Sequence, residues 1–169
     1  TIGARPAMGK TSFLFNILEN VSKKGNKSIL FSLEMSKEQV AQRLLCQISE
    51  IDSIKFRTGN MKSSDWENLS KTVEELANSD FVIDDTRGMT VEDMETKIKE
   101  FKPEVVFIDY LQEVNVNKRM DRYTQIEYIM KELKRIATEN ELIIFINSQL
   151  SRGVESRFDK RPLLSDLRE

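Results

Sequence analysis

The chain has 169 residues, of which 39% are hydrophobic and 32% are charged, proportions typical of one globular domain with a buried core. It contains no histidine, which excludes His-based catalytic triads, His metal sites and His acid–base chemistry. Catalysis would have to use carboxylates, Lys, Arg, hydroxyls, amides and a borrowed ion. The net charge of −2 argues against a protein that coats nucleic acid through bulk charge.

The single cysteine, Cys46, lies in an apolar helical pattern, so we expect it in the core of an intracellular protein. No apolar run reaches the ~18 residues of a membrane span, and no signal peptide is visible. We therefore expect a cytoplasmic protein that makes no membrane contact.

The chain opens on the end of an apolar strand, residues 1–3, and continues with the G-x-x-x-x-G-K-S/T spacing of a phosphate-binding loop. An alanine takes the first glycine position, which is the one departure from that pattern. The strand before the loop, the helix after it and an acidic strand end downstream argue against a chance match. The residues that we expect to bind nucleotide here are Ala4, Arg5, Pro6, Ala7, Met8, Gly9, Lys10, Thr11 and Ser12.

The chemistry of this loop follows from its geometry. A tight turn from strand to helix directs successive backbone N–H groups at one point, and the helix N-terminus adds positive partial charge there. Gly9 allows the backbone to approach the phosphates closely. Lys10 carries a charge to the β- and γ-phosphates, and the Thr11 hydroxyl is placed to bind Mg²⁺.

Helical and strand-like stretches alternate along the rest of the chain. Apolar runs predict buried strands at 28–33, 81–85, 105–109 and 142–147. Amphipathic runs predict helices at 12–22, 37–48, 64–76, 91–101 and 126–137. Ser36 and Thr90 are expected to cap two of these helices, and residues 115–122 are expected to form a polar, mobile loop. The alternation predicts an α/β fold with a mostly parallel sheet covered by helices on both faces.

Large apolar residues at helical and strand spacings are interpreted as core. Phe13 is expected on the buried face of the first helix. Trp66 and the aromatic residues of the strands are expected to pack inside rather than to form a base-stacking platform.

Two acidic residues at strand ends are candidates for chemistry, since right-handed crossovers place every strand's carboxyl end on the edge that carries the phosphate loop. Asp109 ends the most strand-like run, and a carboxylate there suits a Mg²⁺–nucleotide site; the alternative is a simple strand cap. Glu34 reaches the same edge and could orient the water that attacks a triphosphate. The alternative for Glu34 is a capping acid before the next helix.

Other polar residues near strand ends allow two interpretations each. Asp84 and Asp85 either join the hydrogen-bond shell of the ion or are solvated turn acids. Gln149, two residues beyond the predicted strand, could contact the γ-phosphate and respond to its loss, or be a surface amide. The charged tail either is solvated or meets phosphates or a neighbouring subunit; its basic residues are Arg152, Arg157, Lys160, Arg161 and Arg168.

Several stretches together carry a family resemblance. They lie in order at 3–11, 31–36, 106–112 and 148–155, followed by 159–162 and 164–169. They resemble the motifs of the DnaB family of replicative DNA helicases, in its C-terminal, RecA-like motor domain. The Ser-Gln-Leu-Ser-Arg stretch and the Asp-Leu-Arg-Glu ending make this more specific than a general P-loop ATPase.

The resemblance implies roles for residues of this chain. Lys10 and Thr11 would bind ATP and Mg²⁺, and Asp109 would be the Walker B acid. Glu34 would be the catalytic carboxylate, and Gln149 the γ-phosphate sensor.

The resemblance also implies contacts with other molecules. Arg43 is similar to an arginine that packs near the adenine, and Arg168 and Glu169 resemble the start of a central DNA-binding loop. Members of the family form hexameric rings with ATP at subunit interfaces, translocate on single-stranded DNA, and work with a primase and a helicase loader.

We expect residues 1–169 to be one RecA-like ATPase domain that is incomplete at both ends. The arginine finger of the family and most of its DNA loop would lie beyond residue 169, and its N-terminal domain before residue 1. We therefore expect the 169-residue chain to hydrolyse ATP weakly and not to unwind DNA alone. Other possible functions are a RecA- or RadA-like recombinase ATPase and a non-motor ATP-binding regulator or loader.

Overall fold

The computed structural model describes residues 1–117 and 120–167 of the chain. At its centre is a five-stranded sheet in which all paired strands run parallel. The strands are β1 (Ile2–Ala4), β2 (Ser28–Ser32), β3 (Phe81–Asp84), β4 (Val105–Asp109) and β5 (Ile143–Gln149). Their order across the sheet is β1-β5-β4-β2-β3. The prediction of a mostly parallel sheet is confirmed.

Helices connect the strands. They are α1 (Lys10–Lys23), α2 (Lys37–Ile48), α3 (Ser53–Thr58), α4 (Ser63–Ala77), α5 (Val91–Phe101), α6 (Arg122–Glu139) and α7 (Gly153–Ser156). Short 3-10 turns lie at Leu111–Glu113 and Leu164–Leu167. Within residues 1–117 and 120–167, no helix has both the length and the hydropathy that a membrane-spanning segment requires.

The predicted helix caps are present. The Ser36 hydroxyl accepts a hydrogen bond from the Gln39 backbone N–H, and the Gln39 side chain accepts one from the Ser36 N–H. Thr90 and Asp93 form the same reciprocal pair at the start of α5. These contacts satisfy N–H groups that the first turn of a helix leaves without partners, so the starts of α2 and α5 were predictable.

The core has a layer on each side of the sheet, because side chains alternate along a strand. In β4, Val106 and Ile108 pack in one layer, while Val105 and Phe107 pack in the other. The first layer includes residues of α5 and α6, and the second includes residues of α1 and α2. Helices therefore cover both faces of the sheet, as predicted.

Several boundaries differ from the sequence expectations. β5 continues to Gln149, so this residue ends the strand rather than following it by two residues. Ala4 of β1 pairs with Gln149, so the polar end of β5 lies beside β1. α6 begins at Arg122, because Asp121 accepts a hydrogen bond from the Thr124 N–H and caps the helix. The short helix α3 was not predicted.

Two aromatic side chains are not in the core, and their predicted burial was wrong. Phe13 is 56% exposed and Trp66 is 54% exposed. α1 presents Leu14, Phe15 and Leu18 to the sheet, which leaves Phe13 on another side. α4 packs on α2, and Thr72 is its buried residue. Cys46 is buried, as expected.

Candidate nucleotide-binding site

The phosphate loop joins β1 to α1 at the carboxyl edge of the sheet. Gly9 precedes the helix with a φ of 82°, a left-handed conformation that glycine adopts without steric cost. The Phe13 N–H donates to the Gly9 carbonyl at 2.9 Å, which closes the first turn. Since Gly9 has no side chain to cap the helix, the N–H groups of the first turn can serve an anion.

A chain of hydrogen bonds links the loop to the end of β4. The Thr11 hydroxyl donates to the Asp109 carboxylate at 2.9 Å. The other oxygen of Asp109 accepts from the Asn147 side-chain amide at 2.8 Å. Asp109 is 6% exposed and Asn147 is fully buried. The predicted partners Thr11 and Asp109 are therefore in direct contact, and Asn147 is an addition that sequence reasoning missed.

These oxygens form a donor set that suits a hard cation. In the part of the chain that the structure describes, no three His, Cys, Asp or Glu side chains are grouped to hold a metal ion. Mg²⁺ often binds one or two protein oxygens and takes its remaining ligands from phosphates and water. The hydroxyl of Thr11 and the carboxylate of Asp109 fit that pattern.

Glu34 is exposed in the turn that follows β2. Two hydrogen bonds fix this turn: the Leu33 N–H donates to the Asp109 carbonyl at 2.9 Å, and the Ser32 hydroxyl donates to the Met35 carbonyl at 2.7 Å. The backbone around Glu34 is thus tied to the end of β4.

A cavity of about 420 Å³ lies over the phosphate loop. It brings together most of the residues predicted to form the site and adds Tyr110. Its lining residues are Arg5, Pro6, Ala7, Gly9, Lys10, Thr11, Ser12, Glu34, Arg43, Tyr110 and Gln149.

Three predicted residues do not line this cavity. Ala4 is the last residue of β1, and Met8 is 74% exposed. Asp109 is connected to the cavity by its hydrogen bond from Thr11, which does line it. A second cavity of about 650 Å³ shares Glu34 and Arg43 with the first. It continues along α2 and α3 over Met35, Gln39, Gln42, Ser53 and Arg57.

Tyr110 is a site residue that sequence reasoning missed. The Lys10 ammonium lies 4.5 Å from the centroid of the Tyr110 ring, within the range of a cation–π contact. The Tyr110 hydroxyl donates to Glu113 at 2.9 Å. Its position directly after Asp109 was the available signal.

Arg5 connects the phosphate loop to the chain beyond β5. Its guanidinium donates to the Glu155 carboxylate at 2.8 Å and to the Leu150 carbonyl at 2.8 Å. The side chain therefore lines the cavity and also contacts the segment that follows Gln149. The sequence spacing did not indicate this pairing, which spans 150 residues.

Asp84 and Asp85 are engaged away from the phosphate loop. Asp84 forms an ion pair with Lys97 and accepts from the Thr86 N–H at 3.0 Å. Burial raises the pKa of Asp84, but hydrogen bonds from Lys97 and Thr86 outweigh it and hold the pKa below its usual value. Asp85 accepts from the Lys37 N–H at 2.9 Å, at the start of α2.

In the basic tail, Arg157 has an internal role. It pairs through two nitrogens with Asp166, which is 3% exposed, and donates to the Arg161 carbonyl at 3.0 Å. The Arg157 guanidinium holds the pKa of Asp166 below its usual value. Arg152, Lys160 and Arg161 are exposed. The predicted DNA-contact residues Arg168 and Glu169 lie outside the described residues.

Comparisons with known proteins agree with this arrangement. The family model for the DnaB-like helicase C-terminal domain matches residues 1–169. Replicative DNA helicase DnaC of Bacillus subtilis (strain 168) is 42% identical over 175 residues, which cover 99% of this chain and 38% of that protein. Replicative DNA helicase DnaB of Geobacillus stearothermophilus is 40% identical over the same shares of both chains. The chain thus spans about 38% of the length of these relatives.

Solved structures show the same fold. An ATPase domain of known structure superposes with a TM-score of 0.94 at 39% identity, covering 99% of this chain and 62% of that one. A DnaB-like replicative helicase, whose interactions with primase were also described, superposes with a TM-score of 0.94 at 38% identity. That match covers 99% of this chain and 42% of the other. The RecA-like α/β fold is confirmed, and the chain belongs to the family of DnaB-like helicase C-terminal domains.

Proposed function

We propose that residues 1–169 are the ATP-hydrolysing motor domain of a replicative DNA helicase. The observation that carries this proposal is the contact between Thr11 and Asp109 at the base of a cavity that Lys10, Glu34 and Gln149 also line. A phosphate loop, a buried acid and an exposed acid on one sheet edge are the parts that phosphoryl transfer to water requires.

The phosphate loop binds the triphosphate. Lys10 and the N–H groups of the first turn of α1 contact the β- and γ-phosphates. Thr11 and Asp109 would hold Mg²⁺, and the ion would offset negative charge on the phosphate oxygens. Asn147 keeps the Asp109 carboxylate oriented through its 2.8 Å hydrogen bond.

Glu34 and Gln149 act on the γ-phosphate. Glu34 orients a water molecule and accepts its proton as the water oxygen attacks the γ-phosphorus. The bond from that phosphorus to the bridging oxygen of ADP breaks, and ADP and phosphate are the products. Gln149 hydrogen-bonds the γ-phosphate and loses this contact after hydrolysis.

Arg43 lines both cavities, which supports the proposal that it packs near the adenine. We propose that the domain works in the cytoplasm as part of a homo-hexamer, with ATP at subunit interfaces and an arginine finger from a neighbouring subunit. Single-stranded DNA passes through the ring and contacts the loop that begins at Arg168 and Glu169. A primase and a helicase loader are the proposed protein partners.

The first prediction tests the nucleotide site in the natural protein that carries this chain. Lys10→Ala should weaken ATP binding at least about tenfold and abolish DNA-stimulated ATP hydrolysis, because a charge-assisted contact to the phosphates is lost. Binding of a fluorescent ATP analogue and phosphate release with and without single-stranded DNA measure both effects. Lys24→Ala, on the exposed end of α1, is the matched control.

The same assays separate the alternatives. If the protein is a motor, single-stranded DNA stimulates ATP hydrolysis by the wild-type protein, and this protein unwinds duplex DNA. A recombinase-like ATPase responds to DNA but does not unwind a forked duplex, and a regulator hydrolyses ATP at a rate that DNA does not change. Wild-type ATP affinity in Lys10→Ala contradicts the site assignment.

A further inference from the structure

The carboxyl end of β5 extends beyond the end of β4. Their last paired residues are Ile108 and Ile146, and β4 ends at Asp109. The chain then turns into the 3-10 turn Leu111–Glu113. In continued parallel register, the position opposite Gln149 would be residue 111, which has already left the sheet. Gln149 therefore needs another partner for backbone groups that face β4.

The side chain of Gln112 supplies that partner. Its oxygen accepts a hydrogen bond from the Gln149 backbone N–H at 3.1 Å, and its NH₂ group donates to the Gln149 carbonyl at 3.0 Å. The same NH₂ group lies 3.2 Å from the Ser148 hydroxyl. The amide thus reproduces the donor and acceptor pair of a neighbouring strand.

Gln112 is itself anchored. Arg122, the first residue of α6, donates to the Gln112 carbonyl at 2.6 Å. On the other side of β5, Ala4 is in register with Gln149, and the Leu150 N–H donates to the Ala4 carbonyl at 3.2 Å. The last residue of β5 is held from the phosphate-loop side by β1 and from the β4 side by the Gln112 side chain, with a longer contact of 3.5 Å from the Ser148 hydroxyl to the Gln149 carbonyl.

We propose that Gln112 is a positioning residue that sets the placement of Gln149 over the γ-phosphate. Gln149 lines the cavity over the phosphate loop, whereas Gln112 does not, so Gln112 acts through the Gln149 backbone. This inference rests on the proposed function of the site. Because Lys10 and Thr11 lie on α1, the hold on Gln149 affects the hydrolysis step rather than nucleotide capture.

Gln112→Ala in the natural, assembled protein tests this role. Loss of two backbone hydrogen bonds at Gln149 should lower kcat for ATP hydrolysis about tenfold. The dissociation constant for an ATP analogue should stay within about twofold of wild type, because the phosphate-loop contacts remain. Gln125→Ala is a matched control, since Gln125 also contacts Arg122 but bonds the Met120 carbonyl instead of Gln149.

A double-mutant cycle separates positioning from a general structural effect. If Gln112 acts through Gln149, the Gln112→Ala/Gln149→Ala protein should have the same kcat as Gln149→Ala alone. Multiplicative losses in the double mutant overturn the proposal, as does a wild-type kcat in Gln112→Ala.

Gln112→Glu provides a second variant of nearly the same size. It keeps the acceptor for the Gln149 N–H but places a carboxylate oxygen opposite the Gln149 carbonyl, so it should be as slow as Gln112→Ala. A wild-type rate in this variant contradicts the inference. Lys10→Ala in the same assays tests the site itself, and unchanged ATP binding in that variant contradicts the proposed function. Multiplicative losses of kcat in the Gln112→Ala/Gln149→Ala protein contradict this inference alone.

Discussion

The two oxygens of the Asp109 carboxylate accept hydrogen bonds from two different donors. Thr11 joins it to the phosphate loop at 2.9 Å, and Asn147 holds it from β5 at 2.8 Å. Because Asp109 is 6% exposed, each donor offsets part of the cost of burying a charge. The Asn147 amide bonds the carboxylate oxygen that Thr11 does not use, so it stabilises the acid without occupying Thr11.

Asn147→Ala should lower the free energy of unfolding by about 1–3 kcal/mol, because it leaves a buried carboxylate oxygen without its donor. Urea unfolding of the two proteins measures this difference. Asn20→Ala serves as control, because the Asn20 amide is exposed and bonds the Asn16 carbonyl within its own helix. Equal unfolding midpoints for wild type and Asn147→Ala would show that the contact contributes nothing.

Among the elements, α5 and α6 are joined by ion pairs centred on Arg135. Its guanidinium contacts Glu95 of α5 at 2.6 Å, together with Glu132 and Glu139 of α6. Lys99 also contacts Glu95 at 2.6 Å. Hydrogen bonds from Arg135 and then Lys99 lower the pKa of Glu95 to about 2.

The lowered pKa of Glu95 predicts a pH dependence of stability. Since folding lowers this pKa from 4.5, the contribution is present above about pH 4.5 and is lost as pH falls toward 2. Glu95→Gln should remove this part of the acid sensitivity, so its unfolding midpoint should fall less than that of wild type over this window. Thermal unfolding between about pH 6 and about pH 2 measures these midpoints, and Glu100→Gln, at an exposed position, is the control. Parallel pH curves for wild type and Glu95→Gln contradict the assignment.

The ends of β1 and β5 form another link between elements. Arg5 of the phosphate loop pairs with Glu155, and the Ser151 N–H donates to the Asp166 carbonyl at 2.8 Å. Asp166 in turn pairs with Arg157. The chain that follows Gln149 is therefore connected both to the phosphate loop and to the turn that precedes Arg168.

Across the molecule as a whole, local signals predicted the sheet and the loop. β4 was predicted with its observed bounds, and Ser36 and Thr90 cap the predicted helices. Both predictions succeeded because an apolar run or a capping pair involves only residues that are close in sequence. Contact between Thr11 and Asp109 followed from the rule that parallel strands end on one edge.

Features that depend on distant partners were not predictable in the same way. The burial of Trp66 was expected from its spacing, but α4 packs on α2 and presents Leu76 to the core, which leaves Trp66 exposed. The hold of Gln112 on Gln149 depends on where β4 stops relative to β5, and the Arg5–Glu155 pair spans the domain. A single sequence records none of these distances.

The proposed function depends above all on the role that we propose for Glu34, the activation of water beside a triphosphate in the phosphate loop. Nucleotide binding and single-turnover ATP hydrolysis in Glu34→Gln test this role, with exposed Glu38→Gln of α2 as control. We expect a dissociation constant for ATP close to wild type and hydrolysis that is at least about 100-fold slower, because the amide cannot accept the proton. Hydrolysis by Glu34→Gln at the wild-type rate would contradict this assignment.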